Sequence, residues 1–354
     1  MKAYFMQINW QEIYFYNLNI NIIKKIEKIT IGIILYKNTK YLKKCLKSLL
    51  SQTHENFELL LRDQDEDCEA SQYLKNNYPD LIKDSRVNLS VGKNLWHSAG
   101  HNLLFSQMSK NSDAYLCASN DILYEKDFLG KLVKTLNENL EYSIAVPKLK
   151  RWDFEYCLNE NKNFGKTNFI DSCGIGLHEN HHFFDIGQGK KDTGQYDNIK
   201  EIFGASGALF LARKSALEKV NFFDELIHYK NDIDLAYRLL WAGEKTCFVS
   251  DCVAFHDRQV CDNKSKPLWV KESSFFGHLV FLYKNVCCMH FPISVRIKIW
   301  WYMIRATVFL LITEPRVLLQ YKKFFSVFSD LKQKKQKIIV TKKASVFNVL
   351  KFCK

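Results

Sequence analysis

Two carboxylates two residues apart, Asp232 and Asp234, head the apolar run in HYKNDIDLAYRLLWAG (228–243). A carboxylate in that position can accept a proton from a hydroxyl as a general base, or it can satisfy the free amides at a helix start. Leu235, Leu239 and Leu240 share one face at helical spacing and Gly243 reads as a stop, so Asn231 or Asp232 suits the cap and Asp234 the positive end of the dipole. On residue types alone, capping is the simpler assignment. Four more polar clusters carry chemistry: YKN with Tyr36 and Asn38, RDQDED (62–67) with Asp63, GKNLWHSAGHN (92–102) with Asn94 and Asn102, and SND (119–121) with Asn120 and Asp121. Any one of these is an ordinary turn with solvated side chains. His178, His181 and His182 concentrate ligand atoms without a standard zinc spacing, which favours acceptor contact or solvation. Cys247 and Cys252 flank a short strand and read as buried thiols.

The elements that must carry these clusters place them in register. ITIGIIL (29–35) is a buried strand interrupted by Thr30 and Gly32; Leu42, Cys45, Leu46, Leu49 and Leu50 form a helical stripe, and FELLL (57–61) is the next strand. VNLSV (87–91), AYLCA (114–118) and YSIAV (142–146) continue the series, with helical stretches around 98–109 and 127–138, which predicts parallel βαβ units in an α/β fold. In open parallel sheets ligands bind beyond the carboxyl ends of the strands, and the four polar clusters all directly follow a strand. Residues 150–200 turn polar and irregular, a long loop region or small hairpins over a site. GALFLA (207–212) restores a strand pattern, and beyond about 264 the chain reads as helical. No G-x-G-x-x-G follows the first strand, which argues against a dehydrogenase. The Gly- and Arg-rich loop of a sugar nucleotidyltransferase is missing as well.

Together these segments resemble the family 2 glycosyltransferases, especially the rhamnosyltransferase-like branch, over residues 29 to about 258. Tyr36 and Asn38 match the aromatic residue and Asn that end the family's first strand, and SLLSQTHENFELLLRDQDED looks like its helix, S-x-Q turn and second strand. Asp63 matches the Asp that accepts a hydrogen bond from the nucleotide base. GKNLWHSAGHN is similar to the G-x-N-x-G-x-x-x-G-x-N loop, with Asn94, Gly100 and Asn102 in place and Trp96 where a Gly is usual. SND resembles the D-x-D-like element, in which Asn120 would lie on the donor and Asp121 would bind a divalent metal. FGASGALFLARKSALEKVNFFDE (203–225) and the stretch from His228 look like the acceptor-side half, ending in the family's late His at His256.

The resemblance implies a GT-A type, Rossmann-like mixed sheet flanked by helices, with a C-terminal basic helical appendage. It divides the chain into an extension (1–28), a transferase domain (29–263, nucleotide-binding half 29–149 and acceptor half 150–263) and a basic amphipathic region (264–354). The implied reaction moves a sugar from a nucleotide-diphosphate donor to a hydroxyl, with inversion. A hard cation, Mg2+ or Mn2+, held by Asp121 with help from His256, would stabilise the departing diphosphate. Asp232 matches the Asp of the family's E-D pair, the general base, with Asn231 in place of the Glu. That context shifts the reading of Asp232 from cap to base, and leaves Asp234 to cap or orient. The loss of that Glu and of the Gly at 96 keeps open a catalytically inactive, sugar-nucleotide-binding or scaffolding relative.

Composition bounds the setting. The chain has 354 residues, 47% of them hydrophobic, enough for a large α/β domain and an appendage. Residues 293–354 hold 14 Lys and Arg against Glu314 and Asp330, so twelve of the thirteen net positive charges sit there. In RIKIWWYMIRATVFLLI and QYKKFFSVFSDLKQKKQKIIV cationic and apolar residues interleave, a pattern suited to an anionic membrane surface. A packed helical subdomain with a solvated basic face fits the same pattern; nucleic acid is not expected, since no motif for it accompanies the charge. Trp300 to Ile312 is too short to span a bilayer and contains Arg305. Eleven cysteines, an odd count with no C-x-x-C pair and with Cys287 beside Cys288, suit a reduced chain, and no signal peptide is visible. The expectation is a cytoplasmic enzyme, peripheral on the inner face of the membrane, that builds a surface polysaccharide or glycolipid on a glycan or lipid-linked acceptor.

Overall fold

A computed structural model describes residues 24–154, 165–258, 266–287 and 290–354. Residues 1–23 of the expected extension, part of the 150–200 zone, the 263/264 boundary and Cys288 lie outside the described residues. Where the extension enters view it is part of the domain: Ile26 is buried in the core and its amide donates to Asn137 Oδ1.

A run of β-branched and aliphatic residues with no polar face must be covered on both sides, and the first strand, β1 (Ile29–Leu35), lies at the centre of the sheet. It pairs in parallel with β2 (Phe57–Asp63) and β4 (Ala114–Ala118), and β2 pairs in parallel with β3 (Val87–Val91). The helices between them are α1 (Leu42–Leu50), α2 (Glu69–Asn77), α3 (Pro79–Lys83) and α4 (Trp96–Ser106). In α1 the buried residues are Leu42, Cys45, Leu46 and Leu49, the stripe its spacing predicts. Gly32 has a packing reason: a Cβ there would fall 1.8 Å from the Tyr115 hydroxyl.

Beyond β4 the sheet stops being parallel. After β5 (Ile122–Tyr124) and α5 (Phe128–Glu138), β6 (Ile144–Trp152) does not join β4; β11 (Leu209–Arg213) inserts between them, antiparallel to both. This mixed pattern replaces the continuous parallel series expected through residue 146, because the later GALFLA segment returns to occupy the slot beside β4. The order is β10-β12-β6-β11-β4-β1-β2-β3, with β12 (Thr246–His256) parallel to β6, β10 (Glu201–Ile202) antiparallel to β12, β5 antiparallel to the end of β12, and β7 (Lys166–Ser172) on β6. A separate hairpin, β8 (Ile175–Leu177) with β9 (Phe183–Asp185), fills part of the irregular zone. Its strand β8 is stitched to the chain's last residues: the Leu177 amide donates to Phe352 O at 3.4 Å and the Lys354 amide to Leu177 O at 2.8 Å.

Helices α6 (Lys214–Val220) and α7 (Asn231–Trp241) precede β12, and α8 (Leu268–Asn285), α9 (Ile293–Thr313), a 3-10 turn (Pro315–Leu319), α10 (Gln320–Ser326), α11 (Phe328–Thr341) and α12 (Val346–Leu350) follow it. These carboxyl-terminal helices pack on the domain: Ile299, Ile338 and Val349 share a core with Ile233, Tyr237 and Trp241 of α7, and Val317, Phe324 and Leu331 close a second core around α8. Among the described residues no helix is long and apolar enough to cross a membrane.

Candidate active site

Sheet register builds the first half of the site. β5 pairs with the end of β12, opposing Ile122 to His256, and so brings the residue before β5, Asp121, against the His256 ring. His256 Nε2 lies 3.5 Å from Asp121 Oδ1, while its Nδ1 is 2.8 Å from Asp171 Oδ2 on β7. A carboxylate on one ring nitrogen fixes the tautomer and presents the other nitrogen outward, the arrangement that orients metal-ligating histidines. Asp121 Oδ1 is buried yet makes no hydrogen bond. A buried carboxylate oxygen that faces an imidazole nitrogen fits a divalent cation, which would take the place of the proton on that nitrogen. Burial pulls the His256 pKa down, but Asp121 and Asp171 outweigh it and hold it up at about 9. Arg258 extends the array, 3.2 Å from Asp171 Oδ1 and 2.7 Å from Asp185 Oδ2 on β9. On the other side, the Asn120 amide donates to Asn38 O at 3.5 Å, joining the ends of β4 and β1. Tyr36 stands exposed beyond β1.

The second half is built around Asp232. Helix α7 starts at Asn231, and Lys230, with φ +69°, takes the cap position without a side-chain bond; the free first-turn amides of Asp232 and Ile233 are instead taken by Asn231 Oδ1 at 3.0 Å and by Asp232 Oδ1, as helix logic suggested. Asp232 accepts the Gly207 amide on Oδ2 at 3.1 Å and the Ile233 amide on Oδ1 at 2.9 Å. Gly207 O in turn accepts from His97 Nε2 at 3.3 Å, and His97 Nδ1 accepts from the Asn231 amide at 2.9 Å. Asp232, Gly207, His97 and Asn231 thus close a ring of hydrogen bonds and chain links. The ring explains Asn231: its amide group donates to both His97 and Ser98 Oγ, which a Glu carboxylate cannot do. Burial raises the Asp232 pKa, with the Gly207 and Ile233 amides and Arg258 opposing and Asp185 assisting. Those last two groups also belong to the Asp121–His256 array, so Asp232 lies within its electrostatic reach. Burial also brings Lys230 down to about 7.

Other expected residues fall elsewhere. Asp63, with no exposed surface, spends its oxygens on the amides of Asp65 and Ser71 at 3.1 and 2.7 Å, folding the turn after β2. Asn94 accepts the Trp96 amide at 2.8 Å. Asn102 binds Phe223 through both amide and carbonyl and donates to Glu225, in the wall of a cavity shared with Lys334 and Lys337; its hydrogen bonds are all structural. Asp234 is wholly buried against Lys284 and Arg238. His181 is also buried, 2.6 Å from the Tyr237 hydroxyl.

The sequence reading missed His97, His101 and Cys117, the group among the described residues whose ligand atoms converge within 4.8 Å. Two histidines four apart on a helix were the available signal; Cys117 joins only through the fold. The contacts make the trio a buried polar network, since His101 Nδ1 meets the Tyr115 hydroxyl at 2.9 Å and Nε2 meets Cys117 Sγ at 3.5 Å. Burial keeps both imidazoles neutral, His97 at about 4 and His101 well below its ordinary value.

Comparison with known proteins follows the same outline. The family model described as "Glycosyl transferase family 2" matches residues 30–220. GalNAc-T7, solved with UDP, GalNAc and Mn2+, superposes with a TM-score of 0.52 at 11% identity, over 74% of this chain and 48% of that one, so the chain spans about half that relative's length. The mannosyltransferase PcManGT from Pyrobaculum calidifontis, in complex with GDP-Man and Mn2+, superposes with a TM-score of 0.50 at 14% identity, over 93% of this chain and 92% of that one. At such identities the likeness is one of fold, a mixed sheet flanked by helices of the GT-A type.

Proposed function

We propose a mechanism from the premise that the chain belongs to glycosyl transferase family 2 and is a glycosyltransferase. In this reading it moves a sugar from a nucleotide-diphosphate donor to a hydroxyl of a glycan or lipid-linked acceptor, with inversion at the anomeric carbon. The observation that carries it is the fixed carboxylate of Asp232, whose Oδ2 is held by the Gly207 amide and whose basicity burial raises. A neutral hydroxyl attacks poorly, and a carboxylate with a raised pKa is a better proton acceptor than a solvated one. Attack from the face where Asp232 stands, with the diphosphate leaving from the opposite face, gives inversion in one displacement.

The two solved relatives carry UDP or GDP-Man with Mn2+. We carry over the nucleotide diphosphate and the divalent cation, Mg2+ or Mn2+, but not the sugar. Asp121 and His256 would hold the cation, with Asp171 keeping the His256 ring aimed. When bound it would neutralise charge that builds on the leaving diphosphate. Asn38, Asn120 and Tyr36 line the donor edge in this reading, with Asp63 and Asn94 shaping the loops behind them. The exposed apolar stripe of α9, Ile293, Ile297, Trp300, Ile304, Val308 and Ile312 at spacings of three and four, lies among Arg296, Lys298 and Arg305, which supports docking on an anionic, cytoplasmic membrane face where a lipid-linked acceptor would be met.

The test is Asp232→Asn, assayed with uridine, thymidine and guanosine diphosphate sugars with and without Mn2+. Donor binding should survive and transfer should fall by about 10²-fold or more, the usual worth of a general base. Transfer close to wild type would remove Asp232 from the mechanism.

A further inference from the structure

Beside Asp232 lies an aromatic surface that the chemistry above does not use. Trp96, Trp269 and Tyr229 are 44%, 47% and 37% exposed. Trp96 packs at 4.9 Å from His228 and 5.6 Å from Trp269, and Trp269 meets Tyr229 edge-on at 5.9 Å. Among the described residues neither indole N–H nor the Tyr229 hydroxyl is engaged in a hydrogen bond. The patch therefore offers flat apolar faces with unspent donors at their rims. Tyr229 lies three residues before Asp232, and Trp96 precedes His97, whose ring bonds Gly207 O and the Asn231 amide, so the patch adjoins the hydrogen-bonded ring that holds the Asp232 carboxylate.

Two features show that this surface is held in place. Trp96 has φ +59°, a left-handed conformation that disfavours a bulky side chain, at a position where the resembled loop has glycine. Gln64, itself buried, clamps that backbone by accepting from the Leu95 amide and donating to Trp96 O. On the other side a Cβ at Gly277 would lie 2.1 Å from Tyr229 O, so only glycine lets α8, which carries Trp269, seat the Tyr229 backbone this closely. A tryptophan kept in a conformation that favours glycine, with nearly half its surface still exposed, offers a face that folding does not use up.

We propose that Trp96, Trp269 and Tyr229 form the acceptor platform, stacking against the face of a pyranose ring and directing one of its hydroxyls to Asp232. The proposal rests on the transferase reading and adds the class of acceptor: a sugar, recognised by its ring, in preference to a protein side chain or a bare lipid phosphate. A pyranose presents a flat C–H face edged by hydroxyls, the complement of aromatic faces edged by N–H and O–H donors. The α9 stripe is different, long, largely aliphatic and flanked by cations, and suits a bilayer.

The test uses the full chain labelled at indole nitrogen, titrated with the methyl α- and β-pyranosides of rhamnose, mannose, glucose, galactose and N-acetylglucosamine. At least one glycoside should shift the Trp96 and Trp269 signals saturably. Trp96→Gly should weaken that binding at least tenfold, and Trp96→Phe should restore part of it. The platform is overturned if no glycoside moves either indole, if Trp96→Gly binds as wild type, if Trp96→Phe restores nothing, or if phosphatidylglycerol vesicles alone move both. Calorimetric titration of the wild type with UDP, thymidine diphosphate and GDP in the presence of Mn2+ runs in parallel. Failure there would end the transferase reading while leaving the glycoside result to stand or fall separately.

Discussion

At the scale of the residue, a carboxylate at a helix start has its own backbone to serve, and Asp232 does so only in part. One oxygen takes the adjacent Ile233 amide; the other takes the amide of Gly207, on the loop before β11. Spacing alone could not separate cap from base, because both roles place an acidic residue at the same point of an amphipathic pattern. The partner on a distant loop, together with burial that raises the pKa, is what favours the base in the proposed mechanism. The sign of the pH dependence follows. The base works only when ionised, so transfer should fall as pH drops through a pKa lying above the ordinary 3.8. A profile of kcat/KM against pH with its acid limb at or below that value would contradict a buried base. Asn231 was equally hard to read, since it looks like a departure from the resembled motif until it is seen bonded to His97.

At the scale of the element, what was legible was what local pattern controls. The runs at 29–35, 57–61, 87–91 and 114–118 and the stripe at 42–50 became strands and a helix at those places, because burial on both faces or on one face leaves a periodic trace. The insertion of β11 beside β4 was not legible, since it depends on which strand fills an edge after a long excursion. Nor was the ion network under α7, which unites residues from four segments. Lys284, 1% exposed, pairs with Asp234 at 2.9 Å and also with Asp224; Arg238 pairs with Asp234 at 2.7 Å and Lys334 with Asp224 at 2.8 Å. Burial alone would raise both aspartates, but Lys284 and its neighbouring cations hold them below their ordinary values. Lys284→Met removes the central cation and strands two buried carboxylates, which should cost about 3–5 kcal/mol in urea unfolding at neutral pH. Because those pKa values are depressed, the stabilisation is present above the ordinary carboxylate range and fades as pH falls through the folded-state values, so the deficit should shrink in acid. A loss under 1 kcal/mol at neutral pH would mean that water already screens the site.

At the scale of the whole molecule, the basic carboxyl-terminal quarter has features of both arrangements that the sequence offered as alternatives. It packs, through Ile299, Val317, Leu331, Ile338 and Val349, and it also leaves the outer face of α9 bare, with Trp300 72% and Ile312 77% exposed. Ending the chain near residue 292 would therefore open two cores, and substitution on the outer face is the cleaner probe. Ile297→Glu with Trp300→Glu should weaken binding to phosphatidylglycerol vesicles at least tenfold, given about 1.5–3 kcal/mol for each large apolar side chain removed from contact. Undiminished sedimentation with vesicles would place the membrane contact elsewhere. The pairing of strand β8 with Phe352 and Lys354 has a consequence of another kind. The small hairpin that brings Asp185 to Arg258 is anchored by the far end of the chain, so the two segments protect and release their amides as one cooperative unit. Order at the Asp185–Arg258 pair is thus partly a property of the tail.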